Sequence, residues 1–307
     1  MGQTNAEVGA RNAKEGENYM KIYMNGKLVP ERQAKVSVFD HGFLYGDGVF
    51  EGIRTYNGRV FMLEEHIDRL YRSAKGIDME IPMSRKGMIK AVVRTCKANK
   101  TMNGYIRLVV SRGVGTLGLN PFLCKKPQVI IIAANIQLYS KKLYDEGLAL
   151  VTAGTIRNHT ESINPNIKSL NYLNNVLAKI EAINAGVMEA IMLNPQGFVS
   201  EATGDNIFIV RNDALITPPP HAGILKGITR DVVMKLAVEQ GYEVREEMMS
   251  RFDLYTADEV FLTGSAAEVI AVVDIDNRKI GAGKPGKVTK DIAKRFKKFA
   301  NNAGTPI

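Results

Sequence analysis

The chain has 307 residues, 45% of them hydrophobic, and a net charge of +9 at pH 7, a length that buries a sizeable core and favours two domains over one. No run approaches the roughly 20 apolar residues of a membrane helix; VIIIAA near residue 130 is strand-sized. Cys96 and Cys124 are the only cysteines, without CxxC or paired-histidine spacing, which argues against zinc or any other metal centre and fits a reduced, cytoplasmic setting.

Residues 1–19 are polar, lack the apolar centre of a secretory signal and read as a loosely ordered extension. Residues 20–138 follow as a smaller α+β domain: strands at 20–24, 34–39, 48–56 and 59–62, helices at 64–75 and 84–98, then strands at 104–112 and 128–136. The Asn-Gly pair inside YNGR, residues 56–59, predicts a tight hairpin. A polar connector at 139–147 leads to a larger domain, 148–307, with strands at 148–156, 188–194, 205–211, 242–246 and 258–263. That domain also has a helix at 229–240, a hairpin across 268–281 and a basic terminal helix at 287–299. Strands and helices are segregated rather than strictly alternating, the pattern of an α+β fold.

The positive charge is concentrated in KVTKDIAKRFKKF, a helical pattern with a charged outer face. No aromatic-studded basic strand accompanies it, so nucleic acid is not an expected partner. GAGKPG, residues 281–286, matches the GxGxxG spacing, but it follows a hairpin, and Val288 replaces the hydroxyl residue a phosphate loop needs. It reads as a turn into the last helix.

The stretch NPNIKSLNYLNNVLAKIEA, residues 164–182, carries the most chemistry. Leu170, Leu173, Leu177 and Ile180 recur at steps of three and four, which predicts an amphipathic helix with Lys168 at its entrance and Tyr172 one turn on. Alone, Lys168 is a surface lysine, but three other segments supply complementary groups. Glu201 sits at a strand end beside a glycine turn. GITRD puts Thr229 at the opening of a helix whose first amides suit phosphate. TGSAAEV places small residues after a strand, where backbone can approach an anion. An amine, a phosphate-binding helix end and an acid for a ring nitrogen together fit pyridoxal phosphate.

With FDHGFLYGDGVFEGIR, EEHIDRLYRSA, GYIRLVVSRGVGTLGLNP, VSEATGDNIF, GITRD and TGSAAEV in order around the lysine segment, the chain from Met20 onward resembles the fold-type IV pyridoxal phosphate enzymes, most closely the branched-chain amino acid aminotransferases. That resemblance implies the two-domain α+β fold of the D-amino acid aminotransferase type. It makes Lys168 the Schiff-base lysine and proton carrier, Glu201 the partner of the pyridine nitrogen, and Tyr172 the partner of the ring oxygen. Arg69, in a His-x-x-Arg-Leu pattern, would bind phosphate with the backbone of Ile228 and Thr229 and with Ser265, a position where the family more often has threonine. Phe50, Tyr45 and Tyr105 would line the side-chain pocket, with Tyr105 reaching the α-carboxylate beside Ser265 and Ala266. Arg107 would meet the distal carboxylate of glutamate, with Arg54 a weaker candidate; strand alternation alone also permits Arg107 to be a solvent-facing residue. The implied reaction is ping-pong transamination of leucine, isoleucine or valine with 2-oxoglutarate. D-amino acid and (R)-amine transaminases share the fold and are the alternative. The resemblance also implies at least a homodimer, with the loop at 113–121 approaching the neighbouring subunit's site.

Overall fold

A computed structural model of the chain describes residues 20–135 and 139–307, so the reading of residues 1–19 lies outside the described residues. The chain divides into two compact units, one formed by Met1–Leu138 with Ala303–Ile307, the other by Tyr139–Asn302.

In the first unit an antiparallel sheet runs in the order Thr305–Pro306, Arg59–Val60, Gly48–Tyr56, Gly104–Ser111, Gln128–Ala134, Lys21–Met24, Lys27–Pro30. Asn57 and Gly58 both take left-handed φ, 48° and 73°, as a two-residue hairpin turn requires. Strand alternation sends Val49, Ile53, Ile106, Leu108 and Val110 to one face. There they meet Leu63, Ile67 and Leu70 of helix Leu63–Gly76 and Met88 and Val92 of helix Arg85–Asn99. The other face is left for Phe50, Gly52, Arg54, Tyr105 and Arg107.

Two expectations are corrected in this unit. Residues 34–39 form no strand; the strand is Lys27–Pro30. Val36 and Val38 alternate as strand residues do, but both are exposed, and the chain turns at Ser37 to bring the Asp40 carboxylate onto the amide of Gly42. The last residues, expected with the second domain, belong to the first, where Thr305 and Pro306 pair with Val60 and Arg59.

In the second unit the sheet runs Val244–Glu246, Ala214–Thr217, Asn206–Arg211, Glu259–Gly264, Glu268–Ile275, Leu148–Thr152, Glu189–Leu193, Val199–Ala202, with Arg278–Lys279 paired to Glu268–Ile275. It is mixed: Leu148–Thr152 lies parallel to both its neighbours. Helix Lys287–Ala300 buries Val288, Ile292 and Phe296, leaving its lysines outside. The Glu259 carboxylate caps it, accepting from the amides of Val288 and Thr289 at 3.0 and 2.8 Å. A carboxylate therefore occupies the position a phosphate would need after GAGKPG.

Helix Leu173–Asn184 departs from its apolar stripe. Asn175, Ala178 and Ala182 are its buried positions, and Leu173, Leu177 and Ile180 are exposed. Small residues let the helix lie close against Ala190 and Met192 of the sheet, so close approach rather than hydrophobicity chose the inner face.

The returning terminus depends on Gly304, whose φ is +114° and whose added Cβ would sit 2.4 Å from the carbonyl oxygen of Val60. Gly304→Ala is expected to destabilise the protein by more than about 1 kcal/mol, read as a lower urea midpoint.

Candidate active site

The second unit gathers most of the reactive groups. Lys168 lies in an irregular segment before helix Leu173–Asn184 rather than in its first turn. Short turns, Ser169 N to Ile167 O and Tyr172 N to Leu170 O, replace the helix there. They still bring the Lys168 ammonium to 3.0 Å from the Tyr172 hydroxyl, to which it donates. The pairing inferred from helix periodicity is thus present on a different backbone.

Glu201, in strand Val199–Ala202, is buried, and donors surround it. Arg157 Nε donates to Oε1 at 3.0 Å, and Oε2 accepts from Leu225 N at 2.9 Å and Asn206 Nδ2 at 3.3 Å. Burial pushes the Glu201 carboxyl up from its ordinary value, opposed by Arg157, the Leu225 amide and the Lys168 charge. Asn206 also donates to Leu225 O at 2.8 Å. That side chain adjoins the next feature: a Cβ on Gly227 would meet Asn206 Oδ1 at 1.9 Å, so only glycine fits as the N-cap of helix Ile228–Val238. Its N-cap, Gly227, supplies no side-chain cap, and among the described residues no side chain is seen on its first amides. The first amides of a helix have no intrahelical partner, so Ile228 and Thr229 offer N–H groups suited to phosphate.

Ser265 and Ala266 occupy the turn between strands Glu259–Gly264 and Glu268–Ile275. The turn is tied to the same cluster, because Asp205 Oδ1 packs 1.8 Å from where a Gly264 Cβ would be. Asp205 is buried; burial first, and then the Glu189 carboxylate, push its carboxyl well above the usual carboxylate range. Two residues before Ser265, the buried Thr263 hydroxyl has no hydrogen-bond partner among the described residues. An amine, a buried acid, an uncapped helix end and a small-residue turn fit the groups of pyridoxal phosphate, as the donor set alone suggests.

In the first unit one sheet face carries Phe50, Arg54, Tyr105 and Arg107. The Arg107 guanidinium lies 4.6 Å from the Phe50 ring centre and 5.7 Å from that of Tyr105, and Nη2 donates to the Tyr105 hydroxyl at 3.4 Å. Arg54 lies over Tyr56, 5.3 Å from its ring centre. Tyr45, at the end of helix His41–Tyr45, donates to Leu117 O. With His41 Nε2 2.7 Å from Thr116 O, it holds the glycine-rich segment in place. Arg69 is directed elsewhere: Nε and Nη2 donate to the two oxygens of Glu51, each at 2.8 Å, on the helix-covered face opposite Phe50 and Arg107.

A family profile described as amino-transferase class IV matches residues 48–275. The chain belongs to this family. It is 54% identical over 288 residues to a Methanocaldococcus jannaschii protein named provisionally as a branched-chain-amino-acid aminotransferase, covering 94% of this chain and 99% of that one. The solved Escherichia coli branched-chain amino acid aminotransferase is similar at a TM-score of 0.90 and 36% identity, over 93% of this chain and 96% of its own. The Thermobaculum terrenum branched-chain amino acid aminotransferase, solved in its PLP form, gives 0.84 and 32%, over 93% and 95%.

Three groups of this class IV aminotransferase escaped the sequence reading: Arg157, Asn206 and the Glu51–His66 pair. TIRNH and DNIF have no periodicity or glycine signal that would single out Arg157 or Asn206. Glu51 stands inside the quoted VFEGIR, and strand alternation alone would have set it opposite Phe50, beneath the helix that carries Arg69.

Glu51 is fully buried. Burial alone would raise its carboxyl, but the charge and hydrogen bonds of Arg69, followed by those of His66, outweigh it and hold the carboxyl down at about 2. The folded value lies below the ordinary 4.5, so this stabilisation is present above 4.5 and is lost as pH falls toward 2. Glu51→Gln leaves Arg69 buried without its counter-charge and is expected to cost about 3 kcal/mol at neutral pH. The gap to the unaltered protein narrows in denaturant titrations repeated from pH 4.5 downward.

Proposed function

We propose that this chain transfers the amino group of branched-chain L-amino acids (leucine, isoleucine, valine) to 2-oxoglutarate, giving branched 2-oxo acids and L-glutamate in a ping-pong cycle with pyridoxal 5'-phosphate. The observation that carries the reading is the Lys168 ammonium on the Tyr172 hydroxyl at 3.0 Å, in one unit with a buried acid and an uncapped helix N-terminus. Names of the similar proteins support the substrate class.

When bound, the cofactor supplies an aldehyde for the amine and a protonated ring that withdraws electrons from the substrate Cα. Lys168 would hold the aldehyde carbon and would carry the proton to and from the substrate Cα. Tyr172 is its hydroxyl neighbour and the donor to the ring oxygen. Glu201, kept as an acceptor by Arg157 and Leu225 N, takes the N–H of the ring nitrogen. The amides of Ile228 and Thr229, with Ser265, would take the phosphate; the family resemblance assigns Arg69 to the same group, but here its Nε and Nη2 are held by Glu51. For the substrate, Tyr105 with the backbone of Ser265 and Ala266 serves the α-carboxylate, and Phe50, Tyr45 and Arg54 the side-chain pocket. Arg107 serves the distal carboxylate of glutamate.

A homodimer or larger assembly in the cytoplasm completes the proposal. Phe43, Leu117, Leu119 and Phe122 around the glycine-rich segment are all exposed, and exposed apolar clusters mark interfaces. Both cysteines are free and buried, as a reducing compartment permits. No helix among the described residues is long and apolar enough to cross a membrane.

The purified protein is expected to be yellow and to lose that colour on adding L-leucine. With 2-oxoglutarate it turns over L-leucine far faster than D-leucine or a primary (R)-amine; the reverse order selects the alternative substrates. Lys168→Ala keeps its circular dichroism spectrum but loses turnover by several orders of magnitude, and near-normal turnover removes the assignment. Arg107→Met raises KM for 2-oxoglutarate at least about tenfold while changing that for L-leucine little, the loss of a charge-assisted pair made with only one substrate.

A further inference from the structure

Glu201 can counter the charge of a protonated ring nitrogen only while it is ionised, yet it is buried, and burial alone favours the neutral acid. Two positive groups oppose that, Arg157 and Lys168, while the carboxyl of Asp205 also faces it, itself beside Glu189 and Lys179. Lys168 is the reacting amine of the function proposed above, on which this inference rests, so its charge changes through each turnover. A guanidinium, unlike an amine that reacts, keeps its positive charge throughout, which makes Arg157 the constant counter-charge.

We propose that Arg157 is the positioning residue of the site: its guanidinium holds Glu201 as an ionised, oriented acceptor and ties it to the helix that follows Lys168. The geometry is built for this on both sides. The Arg157 amide donates to Leu193 O at 2.8 Å, fixing its backbone to strand Glu189–Leu193, and that strand pairs Met192 with Glu201. Nε reaches Glu201 Oε1 at 3.0 Å and Nη1 reaches Asn174 Oδ1 at 3.2 Å. Asn174 is itself held, accepting from Asn158 N at 3.2 Å and donating to Ile156 O at 2.8 Å. The carboxylate is thereby gripped on one oxygen by a buried cation and on the other by Leu225 N and Asn206, with no freedom left to rotate.

The test uses full-length holoenzyme loaded with pyridoxal phosphate carrying 15N in its ring, whose chemical shift reports whether the ring nitrogen is protonated. In the unaltered protein the nitrogen is protonated through neutral pH. Arg157→Gln moves the signal toward the neutral form and raises the cofactor dissociation constant about tenfold or more, the equivalent of one pKa unit. Arg157→Lys, which returns the charge without the fork, restores most of the protonation. In a Glu201→Gln background, Arg157→Gln changes cofactor affinity by less than about twofold, because both act through one carboxylate.

An unaltered protein that binds no cofactor defeats the proposed function and this inference with it. Normal binding together with an Arg157→Gln signal that matches the unaltered protein, or effects of the two substitutions that simply add, overturns the role of Arg157 alone. Should Arg157→Gln fail to fold, Asn174→Ala, which removes the acceptor of Nη1 together with the bonds to Asn158 N and Ile156 O but leaves the Arg157–Glu201 pair in place, is read instead: a partial shift with weaker binding supports the role, and an unchanged signal overturns it.

Discussion

A carboxylate buried in protein must be surrounded by donors or lose its charge, and around Glu201 that requirement organises the second unit. Its donors come from three separate stretches: Arg157 after strand Leu148–Thr152, Asn206 at the start of strand Asn206–Arg211, and the amide of Leu225. The same Asn206 side chain presses on Gly227 and leaves no room for a Cβ. Supplying the acid with donors therefore also sets the backbone entry to helix Ile228–Val238, the element whose bare amides suit a phosphate. The acid and the helix N-terminus are not independent features; one asparagine joins them.

Two buried glutamates, Glu51 and Glu201, shift in opposite directions although burial acts on both. Glu51 has the two-pronged Arg69 on both oxygens plus His66, and paired, charge-assisted hydrogen bonds outweigh desolvation. Glu201 has one guanidinium nitrogen on one oxygen and weaker neutral donors on the other. A carboxylate compensated in full is a fixed structural charge. One compensated in part keeps acceptor capacity for a further N–H, as the proposed role requires.

The α+β class and most strands were legible because their periodicities follow directly from side-chain burial. Lys168, Glu201 and the glycine turns were legible because they stand where strands and helices end, the positions at which a backbone can present chemistry. Arg157 and Asn206 were not, since a residue that acts by facing another across a sheet leaves no local pattern. Two signals misled for identifiable reasons. The Leu173, Leu177 and Ile180 stripe named a helix correctly but marked its exposed side, because alanines permit closer packing than leucines. Val36 and Val38 imitated a strand that has no neighbour to bond.

Arg107 shows how one surface can suit both an aliphatic and an acidic side chain. Its guanidinium rests on the rings of Phe50 and Tyr105 and touches the Tyr105 hydroxyl, so the aromatic wall that would meet leucine also carries the cation that would meet glutamate. Gly52, between them on the same strand face, has no Cβ because the Tyr105 hydroxyl lies 2.0 Å from where it would stand, which sets the tyrosine flat along the sheet. The side chain of Arg107 is exposed, and a weakly hydrated planar cation on an aromatic face loses little when no carboxylate is present. A buried arginine would demand a counter-charge with every leucine bound. An exposed, stacked one would let either side chain enter the same pocket in turn, as the proposed ping-pong cycle requires.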